Sequence, residues 1–91
     1  LYSITPHTRR QAKRIGVNVK PSKRKGKKLD VYQNGKLVAS VGAIGYTDYG
    51  TLLAKGQRIE AEKRRKRYKQ RHQANRTKRA TPGWYADQLL W

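Results

Sequence analysis

The dipeptide Asn34-Gly35 sits between two short runs rich in Val, Leu and Tyr, Leu29–Tyr32 and Leu37–Val41. Both central residues of a type I′ turn need positive φ, which Asn tolerates and Gly adopts freely. Asn-Gly between apolar runs is therefore a strong hairpin signal. A two-residue loop sets the register: Gln33 opposite Lys36, Tyr32 opposite Leu37, Val31 opposite Val38, Asp30 opposite Ala39. That register puts Leu29, Val31 and Val38 on one face and Tyr32, Leu37, Ala39 and Val41 on the other. Both faces are partly apolar and both want cover. A lone hairpin is marginal in water, so the rest of the chain, or a partner, has to supply it.

The chain has 91 residues, enough for one small domain whose core is modest. With no Cys, disulfides are excluded, and two His far apart in sequence make a poor metal set. No metal and no cofactor is expected. Against 23 Lys and Arg stand 5 Asp and Glu, a net charge of +18. So cationic a chain repels itself when compact, and its natural partner is a polyanion or an acidic surface. The expectation is that neighbours complete a fold too thinly cored to stand unaided. No run of 18 apolar residues is present, so no transmembrane helix is expected. No apolar stretch follows the first basic residues, so neither is a signal peptide.

In chain order, Thr5-Pro6 is a helix start, with Thr as N-cap and Pro in the first turn, and Gly16 suits the end. Arg9, Arg10, Lys13 and Arg14 surround a thin apolar edge of Ala12 and Ile15. Val17–Val19 alternates like a short strand that Pro21 ends. Ser22–Lys28 is a basic linker carrying Lys23, Arg24 and Lys25. After the hairpin, Gly42-Ala43-Ile44-Gly45 reads as a turn or bulge. A Gly-x-x-Gly loop gripping nucleotide backbone would need helices on both sides, and this one follows a strand. Thr47 or Asp48 caps a short helix to Ala54, which Gly56 closes. Tyr46, Tyr49, Leu52 and Leu53 are expected to cover one hairpin face.

Residues 57–79 contain no Pro or Gly and predict a long helix, with a possible break near Asn75. Glu60 precedes Arg64 and Glu62 precedes Lys66 by four, the favourable order. Ala61 and Tyr68 share a narrow seam beside Arg65 and His72, expected to dock on the hairpin. Lys63, Arg64, Arg65, Arg67, Arg71 and Arg76 make nearly every other face cationic. Thr81-Pro82 repeats the helix-start signal. Trp84, Tyr85, Leu89, Leu90 and Trp91 form an aromatic end that either packs on the hairpin or anchors in a neighbour, with Trp91 expected to reach outward. Asp87 suits the dipole of that last helix.

The chain thus reads as a small α+β protein. A central two-stranded antiparallel hairpin, with room for a third short strand, lies under short helices and one long basic helix. Residues 1–28 form an extended basic arm with a short helix and linker. Residues 29–91 form the domain: hairpin 29–41, short helix about 48–54, basic helix about 57–79 and aromatic helix 82–91. The polyanion-binding candidates are the cations of the arm, the linker and the basic helix named above. The protein-docking candidates are Tyr32, Tyr46, Tyr49, Tyr68, Trp84, Tyr85 and Trp91. No nucleophile, base and orienting group cluster in sequence, so no enzyme and no small-molecule substrate are expected.

Asp30-Val31-Tyr32-Gln33-Asn34-Gly35-Lys36, Val41–Tyr49, Lys63–His72 and Thr81–Trp91, in that order, resemble blocks of a family of short basic proteins. These are encoded by large nucleocytoplasmic DNA viruses, those of algae and giant viruses of amoebae. The likeness runs from Leu29 to Trp91; Gly50 stands where Pro is more usual. The resemblance implies a virion-associated, non-enzymatic structural protein, a minor component of an icosahedral capsid. It would be made in the host cytoplasm and lie on the inner side of the shell, in a large assembly. Its partners would be other capsid proteins, with packaged DNA or the inner membrane surface, and it brings no catalytic residues. The other reading, from charge alone, is a sequence-nonspecific DNA- or RNA-binding or condensing protein.

Overall fold

The structure, a computed structural model, describes residues 2–91. Asn34 and Gly35 both take positive φ, 53° and 79°, which makes the expected tight turn between β2 (Lys27–Gln33) and β3 (Lys36–Ala43). β1 (Asn18–Pro21) adds antiparallel to β2, so the sheet has three strands in the order β1-β2-β3.

The register holds for the two pairs next to the turn, Gln33 with Lys36 and Tyr32 with Leu37, and then departs from the expected one. Val31 faces Ala39, Asp30 faces Ser40 and Leu29 faces Val41. Val38 is the extra residue of a β-bulge and lies 41% exposed. An inserted residue reverses the facing of everything beyond it, because side chains alternate with period two. Ala39 and Val41 therefore join Leu29 and Val31 on one buried face, where the unbulged register would have split them. The bulge gives the sheet a single apolar face.

That face is covered by α1 (Pro6–Ile15) and α5 (Pro82–Leu90), through Ala12, Tyr85, Leu89 and Leu90, with Val17 beside them. Thr5 and Thr81 cap the two helices as expected, each accepting a backbone N–H three residues on. The segment expected to be a basic arm is therefore part of the fold. The Thr8 hydroxyl, fully buried, donates to the Leu89 carbonyl at 2.7 Å, and the Gln11 amide donates to that of Gln88 at 2.9 Å. These bonds join residues about eighty apart in sequence, which local reading cannot see.

The supposed linker is also ordered. Asp30 accepts from the Ser22 hydroxyl at 2.6 Å, the Ser40 hydroxyl at 2.7 Å and the Lys23 N–H at 3.3 Å. One buried carboxylate so ties the β1–β2 turn to β3. The Ser22 bond, against the opposing effect of burial and with help from Ser40 and Lys23, holds the Asp30 carboxyl below the usual range.

A second cluster lies apart from the first: Tyr49 and Leu52 of α2 (Tyr49–Ala54) against Ala61 of α3 (Arg58–Arg71). Tyr49 and Leu52 thus pack on α3 rather than on the hairpin, and Tyr46 is exposed. Gly50 lets α1 and α2 meet, since a Cβ there would fall 2.3 Å from Thr5 Oγ1. The long helix is shorter than expected. It ends at Arg71, His72 leaves helical geometry with φ −106° and ψ 18°, and a short α4 (Gln73–Arg76) follows. Trp91 bridges the two clusters and stacks on Tyr68 at 4.5 Å and 9°. The radius of gyration, 12.3 Å, matches the roughly 12 Å of a folded domain this long.

A basic cleft as the candidate functional site

The five carboxylates are all used inside the molecule. Asp30 serves the turn described above, and Asp87 takes Lys69 at 2.6 Å instead of acting mainly on its own helix dipole. Glu60 pairs with Arg64 at 3.0 Å and reaches Arg67 at 3.8 Å. Glu62 takes the Tyr49 hydroxyl at 2.7 Å and Arg65 at 3.8 Å, in place of the expected Lys66. Asp48 takes Lys28 at 3.0 Å. Lys28, Arg64, Arg65, Arg67 and Lys69 thus have carboxylate partners, and the other 18 Lys and Arg have none among the described residues.

The Lys28–Asp48 pair is the most deeply buried, with side chains 7% and 1% exposed. Asp48 caps α2 through the Thr51 N–H at 2.8 Å and accepts the Tyr2 hydroxyl at 2.7 Å. Burial alone would raise its pKa; the bonds from Tyr2, Thr51 and Lys28 outweigh burial and hold the carboxyl below its ordinary value. The same Lys28 ammonium donates to the Tyr46 carbonyl. One buried ion pair therefore anchors both the start of α2 and the loop before it.

Beside this anchor lies an open cleft of about 800 Å³. One wall is α3, where Arg64, Arg67 and Arg71 recur three and four residues apart and so share a flank. The end of β3 with Tyr46 and Thr47 lines it too, as do Ala86, Leu90 and Trp91. Tyr68 stacks on Trp91 with ring centroids 4.5 Å apart, and the His72 ring lies tilted against it at 4.4 Å and 32°. Tyr46 alone among the described aromatics is exposed, at 75%. Arg64 and Arg67 share the single carboxylate of Glu60, and Arg71 has none within reach among the described residues.

The other candidates fall on separate elements. Arg9, Arg10, Lys13 and Arg14 lie exposed on α1, Lys23, Arg24 and Lys25 on the β1–β2 turn, and Lys63 on α3 outside the cleft. Arg65 lies over the Tyr49 ring at 4.6 Å, and Arg76 donates to the Lys69 carbonyl at 3.0 Å, so these two serve the fold. The expected docking aromatics are mostly internal. Tyr49, Tyr68 and Tyr85 are buried, Trp84 packs edge-on against Tyr85 beneath Arg79, and Tyr32 lies under Lys20. Trp91, expected to reach outward, is held by Tyr68. Sequence reading missed Lys28, whose role rests on Asp48 twenty residues away. It also missed Glu60 as the shared partner of two arginines, although its spacing to Arg64 and Arg67 was readable.

The described residues form a small α+β domain with a three-stranded antiparallel sheet, five helices and a basic, aromatic-lined cleft. Comparison with models of protein families, with curated proteins and with solved structures finds no match. Among the described residues no helix is long and apolar enough to cross a membrane, and no three His, Cys, Asp or Glu gather as a metal site.

Proposed function

We propose that this chain is a non-enzymatic protein that binds nucleic acid through its phosphates, without regard to sequence. One observation carries the proposal: the carboxylates are consumed internally, while 18 Lys and Arg have no carboxylate partner among the described residues and all of them but the half-buried Arg76 are exposed. A surface of that kind releases condensed counterions when it meets a phosphate backbone, and that release drives binding. The cations lie on α1, on the β1–β2 turn and on α3, which spreads contact over several sides and suits neutralisation better than base reading. In a virus particle, the setting implied by the resemblance, the same surface would neutralise packaged DNA from the inner side of the shell.

Fluorescence-anisotropy titration of a labelled DNA duplex over a range of salt tests this. Log affinity should fall linearly with log salt, with a slope of about −0.9 for each phosphate engaged, and should not depend on sequence. Absent binding at low salt, or a slope near zero, would overturn it.

A second role, bridging to coat protein as a minor capsid component, is favoured by Leu37, Val38 and Ile44 on and beside the edge strand β3. They are 49%, 41% and 51% exposed. Co-sedimentation with coat-protein assemblies, lost in the L37S/V38S variant, is the expected result; sedimentation unaffected by that variant would remove the role.

A further inference from the structure

We propose that the cleft between α3 and the β3–α2 connection binds a single-stranded segment of nucleic acid. Arg64, Arg67 and Arg71 hold its phosphates, and the Tyr46 ring takes one unstacked base. The proposal rests on the phosphate-binding reading above and adds a strand preference and a location to it.

Three features of the cleft point to that ligand. The first is the shape of the charge. Guanidinium groups are planar forks matched to phosphate oxygens, and three recur along one flank of a rigid helix, spaced to follow a backbone. Glu60 partly neutralises two of them and holds Arg64 at 3.0 Å, which orders the guanidinium while leaving the cleft net positive.

The second is Tyr46. An aromatic ring left 75% exposed in a chain that buries or half-buries its other described aromatics has no structural use where it stands. Its backbone is nevertheless held: the carbonyl accepts Lys28, and the N–H donates to Ala43 at 3.4 Å. An exposed ring on a fixed backbone costs little further ordering when a base stacks on it. The third is that one cleft holds both kinds of group. Three arginines and Tyr46 line it together with apolar Leu90, Ala86 and Trp91. A single strand offers a partner to each, charged phosphates to the one and open base faces to the other. In a duplex the base faces are already stacked on one another, so a duplex would use the arginines and leave Tyr46 idle. An acidic peptide would likewise use the arginines alone.

The test compares an oligothymidine, an abasic oligonucleotide of equal length and a duplex of equal phosphate number, by anisotropy at one moderate salt concentration. The proteins are the wild type and the Tyr46→Ala, R64Q/R67Q/R71Q and R9Q/R10Q/K13Q variants. Tyr46→Ala should weaken oligothymidine binding about tenfold, within the span of base–aromatic stacking, and leave the abasic strand and the duplex unchanged. R64Q/R67Q/R71Q should weaken oligothymidine more than R9Q/R10Q/K13Q does, while the two weaken duplex alike. Circular dichroism of each variant confirms that it is folded. An unchanged oligothymidine affinity in Tyr46→Ala overturns the proposal, as does an abasic strand or a polyglutamate peptide bound as tightly as oligothymidine by the wild type. In those cases duplex binding with its salt slope still stands or falls separately, so failure of the cleft and failure of the phosphate reading are distinguishable.

Discussion

Replacing Asp48 by Asn removes one charge from the driest ion pair in the molecule and puts an amide NH2 where Oδ2 accepted both the Lys28 ammonium and the Tyr2 hydroxyl. Asn is as good an N-cap as Asp, so the bond from the Thr51 N–H survives. The Lys28 ammonium, 7% exposed, is left with the Tyr46 carbonyl and no counter-charge. Breaking a buried pair from one side costs about 3–5 kcal/mol, because the orphaned ion has lost its water as well as its partner. For a domain of this length that corresponds to a fall in Tm on the order of 20 °C, a large part of the 5–15 kcal/mol a small domain has in total.

The double variant K28M/D48N removes both charges and keeps a side chain of similar length at position 28. It should recover most of the loss, ending within about 1 kcal/mol of the wild type. Urea unfolding followed by circular dichroism, at fixed pH and salt, measures D48N, K28M and the double variant. If D48N loses less than about 1 kcal/mol, or if the double variant is destabilised by the sum of the single effects, the pair is not the dry, coupled anchor described here. The same cycle bears on the cleft, because Lys28 also holds the Tyr46 backbone.

Two further outcomes follow from single groups. The His7 ring is edge-on to Tyr49 at 4.9 Å and its buried Nε2 has no partner among the described residues; burial first, then Arg65 and Arg10, lowers its pKa to about 4 from 6.5. A histidine that resists protonation in the fold stabilises it above the unfolded value, so stability should decline as pH falls from about 6.5 towards 4, ahead of the carboxylates. His7→Gln should flatten that part of a urea-midpoint profile, and an unaltered slope would exclude His7 as its source. Gly42 has φ +82°, and a Cβ there would lie 2.7 Å from Leu90 Cδ1, so Gly42→Ala should cost about 1–3 kcal/mol by thermal denaturation. A Tm equal to the wild type's would show that β3 can relax away from α5.

Local chemistry made several elements readable in the sequence, each for a reason contained within a few residues. Asn34-Gly35 requires a turn with two positive φ angles. Thr5-Pro6 and Thr81-Pro82 start helices, Asp48 caps α2 whatever lies beyond, and the spacing of Ala61 and Tyr68 marks the buried seam of α3. The surplus of cations on α3 and α1 was equally plain. The partners were not. Nothing near Val38 announces that it bulges, and that one inserted residue chose which side chains became core. Thr8 meets Leu89, Ser22 meets Asp30 and Lys28 meets Asp48 only once the chain has closed. Trp91 reads as an anchor for a neighbour until Tyr68 is seen beneath it, and Tyr46 reads as core until it stands alone at the edge of the cleft. Backbone preference and helix periodicity act over a few residues and survive in the sequence. Bulge register, ion pairing and the choice between buried and exposed rings are set by long-range closure, which a linear pattern does not encode.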